Sequence, residues 1–508
     1  MKKIHYTTIF IIQQYSSNSN KQIVLNKMQP KQILIHTLCI LYVIVTIYAV
    51  PFCFYYFLIP TKYYIVFYWI VYGSIVFTNV LIIIEIIYAV KYNKTKHMIE
   101  FKNTIDNYNH YNQCHMIPET CHDDLFYKIK YVPFGIIFSL YLDNELCIIE
   151  DTIKHILQCE LPYHTAIIFS YNTKQFNEDN HNKLQSFIEQ HLSEYKRRVP
   201  YNDVICVALY NEQSKSKADN INFGCKYLTN LFFKPNIVAL YDADHNPDKY
   251  SIIYALYKMY TTDTDILQGR VYIRKPSTLI AIEFNMIYCI YHEGGQHFRK
   301  YAIFGGTNGF WKLDVLNEIK FDTKRLTEDI DASFNALISG KKLRFNKYVM
   351  SSELAPPNIK SLYKQRLRWA QGWSEVTLYR TWQVLLSKCN TFRQKITTLL
   401  FLVWREMYVY IAPHLLSILF ASIGHCVKTS CIDLLYYLPT LLIVTLTILY
   451  AIFLYFYECP DAREFGILHH LYYAIVSIPF EILKMHITVI GHMRILLKQN
   501  AWNVTSRN

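Results

Sequence analysis

The sequence predicts an α/β domain with a mostly parallel sheet, held between helical segments that cross a membrane. Three observations predict it. Two nearly unbroken apolar runs, 33–59 and 63–90, open the chain; strand-like and helix-like segments alternate between 128 and 241; apolar stretches return from about residue 399. About 20 apolar residues suffice to cross a ~30 Å hydrocarbon core. Strands that alternate with helices build a parallel sheet with both faces covered.

Composition agrees with this division. The chain has 508 residues, of which 52% are hydrophobic and only 18% charged, a low charge content for a soluble protein. The net charge of +13 does not indicate a nucleic-acid partner. The basic residues are dispersed, and many flank apolar runs, where positive-inside topology accounts for them. The 13 cysteines form neither a CxxC pair nor a regular spacing. They read as apolar thiols rather than a disulfide framework or a zinc site. Cys426 and Cys431 are the one close pair near a membrane edge, and no role is assigned to them.

Residues 1–32 are expected to form a cytosolic tail, because polar Ser16 to Lys21 interrupt any signal-like stretch. Two transmembrane helices follow within 33–90. Glu85 is the only acid in either run, and its expected place is at the interface, reached by snorkelling. Residues 91–373 form the extramembrane block. Residues 374–398 mix apolar and basic side chains and are expected to lie along the interface. Residues 399–497 carry about three further spans, at 399–424, 432–457 and 469–497, before a short tail at 498–508. Arg405 and Glu406 make the first of these either an interfacial helix followed by a span or one span with a paired charge. Pro479 and Glu481 leave the last equally open, so the count is five spans, with four or six as alternatives.

Within the block, YVPFGIIFSLYL reads as a strand, Asp143-Asn144-Glu145 as a turn and CIIEDTIKHILQ as a helix. TAIIFS (165–170) and residues 202–209 read as further strands. The strand Asn236 to Tyr241 runs directly into Asp242-Ala243-Asp244-His245. In open parallel sheets ligands bind beyond the C-terminal strand ends, where the carboxylates Asp242 and Asp244 fall. Two carboxylates at i and i+2 can hold one hard divalent cation that also bridges to phosphate; a solvated acidic turn is the alternative. Thr327-Glu328-Asp329-Ile330-Asp331 precedes an amphipathic helix. Thr327 is expected to cap it and the acids to favour its dipole, while an acid there can also serve as a base toward a hydroxyl. In Gln365-Arg366-Leu367-Arg368-Trp369, Arg368 suits bidentate contact with a diphosphate. Trp369 and Trp373 share a helix face at i, i+4, and an indole suits the C–H face of a sugar. An amphipathic membrane-surface helix is the plainer reading.

Four motifs stand in order: DAD (242–244), FGGTNG (304–309), LTEDID (326–331) and QRLRWAQGW (365–373). In this order they resemble glycosyltransferase family 2, and more narrowly its processive membrane synthases of cellulose, hyaluronan, chitin and poly-N-acetylglucosamine. The match covers roughly residues 130 to 375. The ending Trp502 to Arg507 also resembles a W-x-V-T-x-R ending of such enzymes.

The resemblance implies a cytosolic α/β GT-A domain plus an α-helical transmembrane region. It implies inverting hexosyl transfer from a UDP-sugar to a growing β-linked polysaccharide, with export through the spans. Mg²⁺ or Mn²⁺ would be the cofactor. Asp244 would hold the metal with His245 assisting, and Asp242 would contact the donor. Asp329 would be the general base and Glu328 would orient it. Lys217, Gln365 and Arg368 would bind the donor, with Gln365 and Arg368 on its diphosphate. Trp369 would floor the acceptor site, lined also by Gly306 and Thr307. The usual uracil-contacting acid after the second strand is absent; Phe169-Ser170-Tyr171-Asn172-Thr173 stands there, with Asn172 a partial substitute. Such an enzyme is an integral, multi-pass protein of the plasma membrane or Golgi, in contact with membrane lipid. An oligomer or an accessory subunit is left open. The alternatives are a single-addition transferase acting on a lipid or another single acceptor, and a non-catalytic scaffold or transporter subunit.

Overall fold

The structure, a computed structural model, describes residues 37–499 except 39, 93–94, 114–124, 275–277, 430–440 and scattered positions from 443 to 465. The expected tail 1–32, Cys431, most of the stretch 432–457 and the ending Trp502 to Arg507 lie outside the described residues.

Four central strands form as the sequence predicts: β1 (Phe134–Tyr141), β2 (His164–Asn172), β3 (Asp203–Tyr210) and β4 (Ile237–Asp242). They pair in parallel in the order β3-β2-β1-β4. Alternation along β1 sends Ile137 to one apolar layer and Ile136 and Phe138 to the other, the period-2 consequence of a pleated strand buried on both faces. The helix Lys217–Thr229 covers the first face with Ala218, Ile221 and Leu228. The helices Leu142–Ile156 and Ser251–Thr261 cover the second. Asp143-Asn144-Glu145, expected as a turn, is already helical: the Leu142–Ile156 helix starts directly after β1, and Glu145 Oε2 accepts the Tyr141 N–H at 2.7 Å.

The other half of the sheet escapes the sequence pattern. It comprises β5 (Asn246–Pro247), β6 (Ile266–Arg274), β7 (Gly309–Lys312) and β8 (Leu343–Leu354), in the order β4-β7-β6-β8-β5. β7 runs antiparallel to both β4 and β6, so the sheet is mixed, though mostly parallel as expected. Only four residues form β7, too few for a period to be read.

Among the described residues, three helices are long and apolar enough to cross a membrane: Ile40–Leu58, Tyr64–Lys91 and Phe392–Thr429. A fourth would be Ile467–Ser477 with Pro479–Leu496, bent by 43°, at a proline that removes a helical hydrogen bond. Arg405 and Glu406 pair with each other inside the run Phe392–Thr429. The helix Ile359–Leu386 continues through residue 374, so a division between 373 and 374 falls inside it.

Glu85 does not snorkel. It is 8% exposed, and its Oε1 accepts from Arg299 Nη1 at 2.8 Å. Arg299 ends a helical stretch, residues 278–299, that packs against the Tyr64–Tyr92 helix. A window along one span cannot reveal a partner that lies 214 positions away. Breaking such a buried pair strands a charge, at a cost of about 3–5 kcal/mol, whereas removing both charges is far cheaper. Arg299→Leu is therefore expected to lower the thermal midpoint of the purified protein clearly, and Glu85→Leu added to it to restore much of the loss. Equal midpoints for the single and double variants would refute the pairing.

Candidate active site

The site forms at the C-terminal ends of the parallel strands. Lys217 is the first residue of its helix, fixed there because the Ser216 hydroxyl accepts the Asp219 N–H at 3.2 Å and Asp219 Oδ2 accepts the Lys215 N–H at 2.9 Å. Lys217 Nζ pairs with Asp242 Oδ1 and donates to the Gly306 carbonyl at 2.7 Å. The Asp242 N–H in turn donates to Thr307 Oγ1 at 3.2 Å. Lys217, Asp242, Gly306 and Thr307, more than sixty residues apart at the extremes, thus meet.

Asp329 joins them across Gly306. That glycine has φ +89°, and a Cβ there would stand 2.7 Å from Asp329 Oδ2 and 3.4 Å from Lys217 Nζ. Only a residue tolerant of positive φ and lacking a side chain fits. Two residues absent from the sequence expectations hold this loop. The Ser333 hydroxyl donates to the Asp329 carbonyl at 2.8 Å and accepts the Phe304 N–H at 2.9 Å. Gln268 accepts the Gly305 N–H at 2.8 Å and donates to the Thr307 carbonyl at 3.0 Å. Ser333 lies one helical turn after Asp329, a spacing visible in sequence; Gln268 sits on β6 and gave no local signal.

Thr327 occupies the N-cap position of the helix Glu328–Ile338, but its side chain makes no capping bond, contrary to expectation. Its methyl and hydroxyl instead face the helix Ile359–Leu386, where a Cβ on Gly372 would meet Thr327 Cγ2 at 2.5 Å. Asp331 ties the two helices together, accepting from Arg380 Nε at 2.8 Å and Nη2 at 2.6 Å. The QRLRWAQGW segment is thereby laid against the acidic turn. Buried polar atoms without a hydrogen-bond partner among the described residues include Gln365 Oε1 and Arg368 Nε. Native structures rarely leave such atoms unsatisfied without a ligand or ion to meet them.

Electrostatics bind the set together. Burial would lower the Lys217 ammonium, but the charges of Asp242, Glu328 and Asp329 outweigh it and raise it. Burial, then the charge of Asp329, raises the Glu328 carboxyl above its ordinary value, against Lys217 and Arg368. Burial likewise raises Asp329, opposed by Lys217, its hydrogen bond from the Ile330 N–H and Arg368.

The metal expectation fares unevenly. Asp244 is 1% exposed and its Oδ2 accepts the Leu354 N–H at 3.1 Å. His245 is fully buried and both of its ring nitrogens are engaged, Nδ1 with Ser351 Oγ and Nε2 with Glu353 Oε2, each at 3.0 Å. It braces the turn and has no nitrogen left for a cation, a correction to its expected role. Among the described residues no three His, Cys, Asp or Glu side chains gather as a metal-binding group. The remaining donors, two carboxylates, suit a hard cation whose other ligands are phosphate oxygens and water. Asn172 is also spent: its Oδ1 accepts from Asn220 Nδ2 at 2.9 Å within the fold.

A mixed, mostly parallel sheet with this cluster at its strand ends is similar to the GT-A arrangement expected from the sequence. Residues 237–457 match the family model described as glycosyl transferase family group 2. A poly-beta-1,6-N-acetyl-D-glucosamine synthase of Staphylococcus aureus (strain MSSA476) is 28% identical over 250 residues, 48% of this chain and 56% of that protein. One from Staphylococcus epidermidis is 26% identical over 261 residues, 50% of this chain and 58% of that protein. The chain thus matches little more than half the length of these curated relatives. Among solved structures, the mannosyltransferase PcManGT from Pyrobaculum calidifontis in complex with GDP-Man and Mn2+ aligns with a TM-score of 0.45 at 15% identity, covering 79% of this chain and 99% of that one. Residues 237–457 are thus similar to glycosyl transferase family group 2, and the chain is similar to poly-N-acetylglucosamine synthases.

Gly306→Ala should push Asp329 and Lys217 apart while leaving the core intact. We expect sugar transfer to fall about 100-fold, the scale of a misplaced reacting group, with a thermal midpoint close to wild type. Transfer at the wild-type rate would contradict the packing at Gly306.

Proposed function

We propose that the protein is a membrane-embedded inverting glycosyltransferase. It moves a hexosyl unit from a UDP-sugar onto the hydroxyl end of a growing β-linked polysaccharide, on the cytosolic side, and exports the chain through its own helices. The observation that carries this reading is the meeting of Lys217, Asp242, Gly306 and Asp329 beside a helix that brings Arg368 under the field of the same acidic turn.

In this reading Asp329 takes the proton of the acceptor hydroxyl. The oxygen attacks the anomeric carbon from the face opposite the diphosphate, the anomeric C–O bond breaks, and UDP departs with the bonding pair. One base suffices for this displacement, in contrast to the carboxylate pair of a retaining hydrolase. Lys217, Gln365 and Arg368 stabilise the charge that grows on the diphosphate. Asp242 holds Lys217 toward it, and Glu328, close by and charge-coupled to Asp329, orients the base. A divalent cation, Mg²⁺ or Mn²⁺, held by Asp244 with Asp242 nearby, would neutralise the diphosphate when bound. Trp369 floors the acceptor site, with Gly306 and Thr307 along its edge. The similarity to poly-N-acetylglucosamine synthases makes UDP-N-acetylglucosamine the first donor to try, ahead of UDP-glucose and UDP-glucuronate.

The test is incorporation of labelled donor into sized product, using the full chain in membranes. A long polymer from one UDP-sugar is expected, and products of a single added sugar from every donor would overturn the polymerase reading. Asp329→Asn should cut transfer by about 100- to 10,000-fold, the span of general-base catalysis, while UDP-sugar binding persists. Undiminished incorporation would remove Asp329 from its role.

The raised carboxylates also set a pH dependence. The base works only when deprotonated, so the rate should fall as pH drops through the elevated value of the Glu328–Asp329 pair. That acid limb should lie above the ordinary carboxylate range of about 4, and Glu328→Gln should move it downward, since it removes the neighbouring negative charge that helps hold protons on the pair. A rate that stays flat down to that range would contradict the assignment.

A further inference from the structure

Beneath Trp369 lies a buried charge cluster that the mechanism does not use. Glu283, on the helix Thr278–Met286, is 2% exposed. Its Oε2 accepts from Arg366 Nη2 at 2.8 Å and its Oε1 from Lys484 Nζ at 3.2 Å. Lys484 also pairs with Glu481 at 2.5 Å, so two acids balance two bases. Three sequence-distant helices therefore meet on one carboxylate. The guanidinium of Arg366, 7% exposed at the side chain, lies over the Trp369 ring at 4.4 Å from its centroid.

Glu283 and Arg366 are the buried pair, while Lys484 and Glu481 are partly exposed; burying an ion pair costs more than packing apolar side chains of the same size and adds little stability of its own. A structural tie alone would not need an arginine here, because a lysine would complete the same charge pair. A planar guanidinium can hydrogen-bond the carboxylate through one edge while its face stacks on an indole, a geometry an ammonium does not reproduce. Glu283 fixes the plane of that guanidinium, and the guanidinium fixes the tilt of Trp369, whose ring is only half-buried.

We propose that Glu283 and Arg366 are positioning residues of the acceptor site: they hold Trp369 at the angle at which its exposed part meets the growing sugar chain, and so govern how long that chain stays bound. The inference rests on the proposed function, in which Trp369 floors the acceptor site. Arg366 touches the platform and Glu283 acts through Arg366; neither touches the reacting atoms.

The test uses the purified full chain in lipid nanodiscs with whichever UDP-sugar the wild-type protein polymerises, reading product length and thermal midpoint together. Arg366→Lys keeps the ion pair but loses the stack. It should leave the midpoint close to wild type and shorten the mean product about three- to tenfold, the range set by a lost cation–π contact. Glu283→Gln should shorten it similarly by freeing the guanidinium. Full-length product from folded Arg366→Lys protein would overturn the proposal, since a purely structural tie is rescued by lysine. Should Glu283→Gln fail to fold, Arg366→Lys decides alone. A wild-type protein that polymerises no donor would instead overturn the proposed function, so the two failures are distinguishable.

Discussion

The contact on which the site depends is the close approach of the helix Ile359–Leu386 to the turn Thr327–Asp329. It exists because position 372 has no side chain: any Cβ would run into Thr327. Asp331 and Arg380 then lock the two helices through a bidentate ion pair whose acid is 3% exposed at the side chain. With that register fixed, Arg368 comes under the field of Glu328 and Asp329, and Trp369 stands one residue further on. A slip by one position would turn each side chain by about 100° around the helix axis. One small residue and one ion pair therefore decide which way the QRLRWAQGW side chains point.

Charge is the second constraint. Three carboxylates, Asp242, Glu328 and Asp329, crowd around one lysine and raise its ammonium, while burial is the first cause that raises Glu328 and Asp329. Two acids that resist ionisation together are poised for proton transfer rather than for stability. An incoming diphosphate adds negative charge to the same place, which Lys217 alone does not offset. In the proposed function Arg368, whose buried Nε has no partner among the described residues, would supply part of the difference, and a divalent cation near Asp244 would supply the rest.

Much of this was legible in the sequence, and the pattern of what was not is physical. β1 to β4 are continuous apolar runs bounded by polar turns, so they were visible, as were Asp242 and Asp329 at element ends and Arg368 inside its helix. The second half of the sheet was not, because β5 and β7 are too short to carry a period and β6 and β8 take their pairing from distant strands. Glu85 looked like an interfacial acid because Arg299 lies on another helix. His245 looked like a ligand because a window of four residues cannot show that Ser351 and Glu353 already occupy its nitrogens. Thr327 looked like a cap, but packing against the Gly372 helix took its side chain.

The helical part repeats one device. Arg366 lies over Trp369 at 4.4 Å and is held by Glu283; Arg405 lies over Trp373 at 4.6 Å and pairs with Glu406. Glu406 also accepts from the Ser374 hydroxyl at 2.8 Å and meets His492 Nε2 at 2.5 Å. Each indole at i and i+4 of one helix is thus backed by a guanidinium whose own orientation is set from a different element. An isolated arginine near lipid would be costly, but each here has its acid, so the local charge balances. Large apolar residues could fill the same volume at lower cost, yet they would let an indole rotate. A charge-balanced guanidinium support restricts that rotation, and under the proposed function a platform for a chain of rigid rings would need a fixed angle more than added stability.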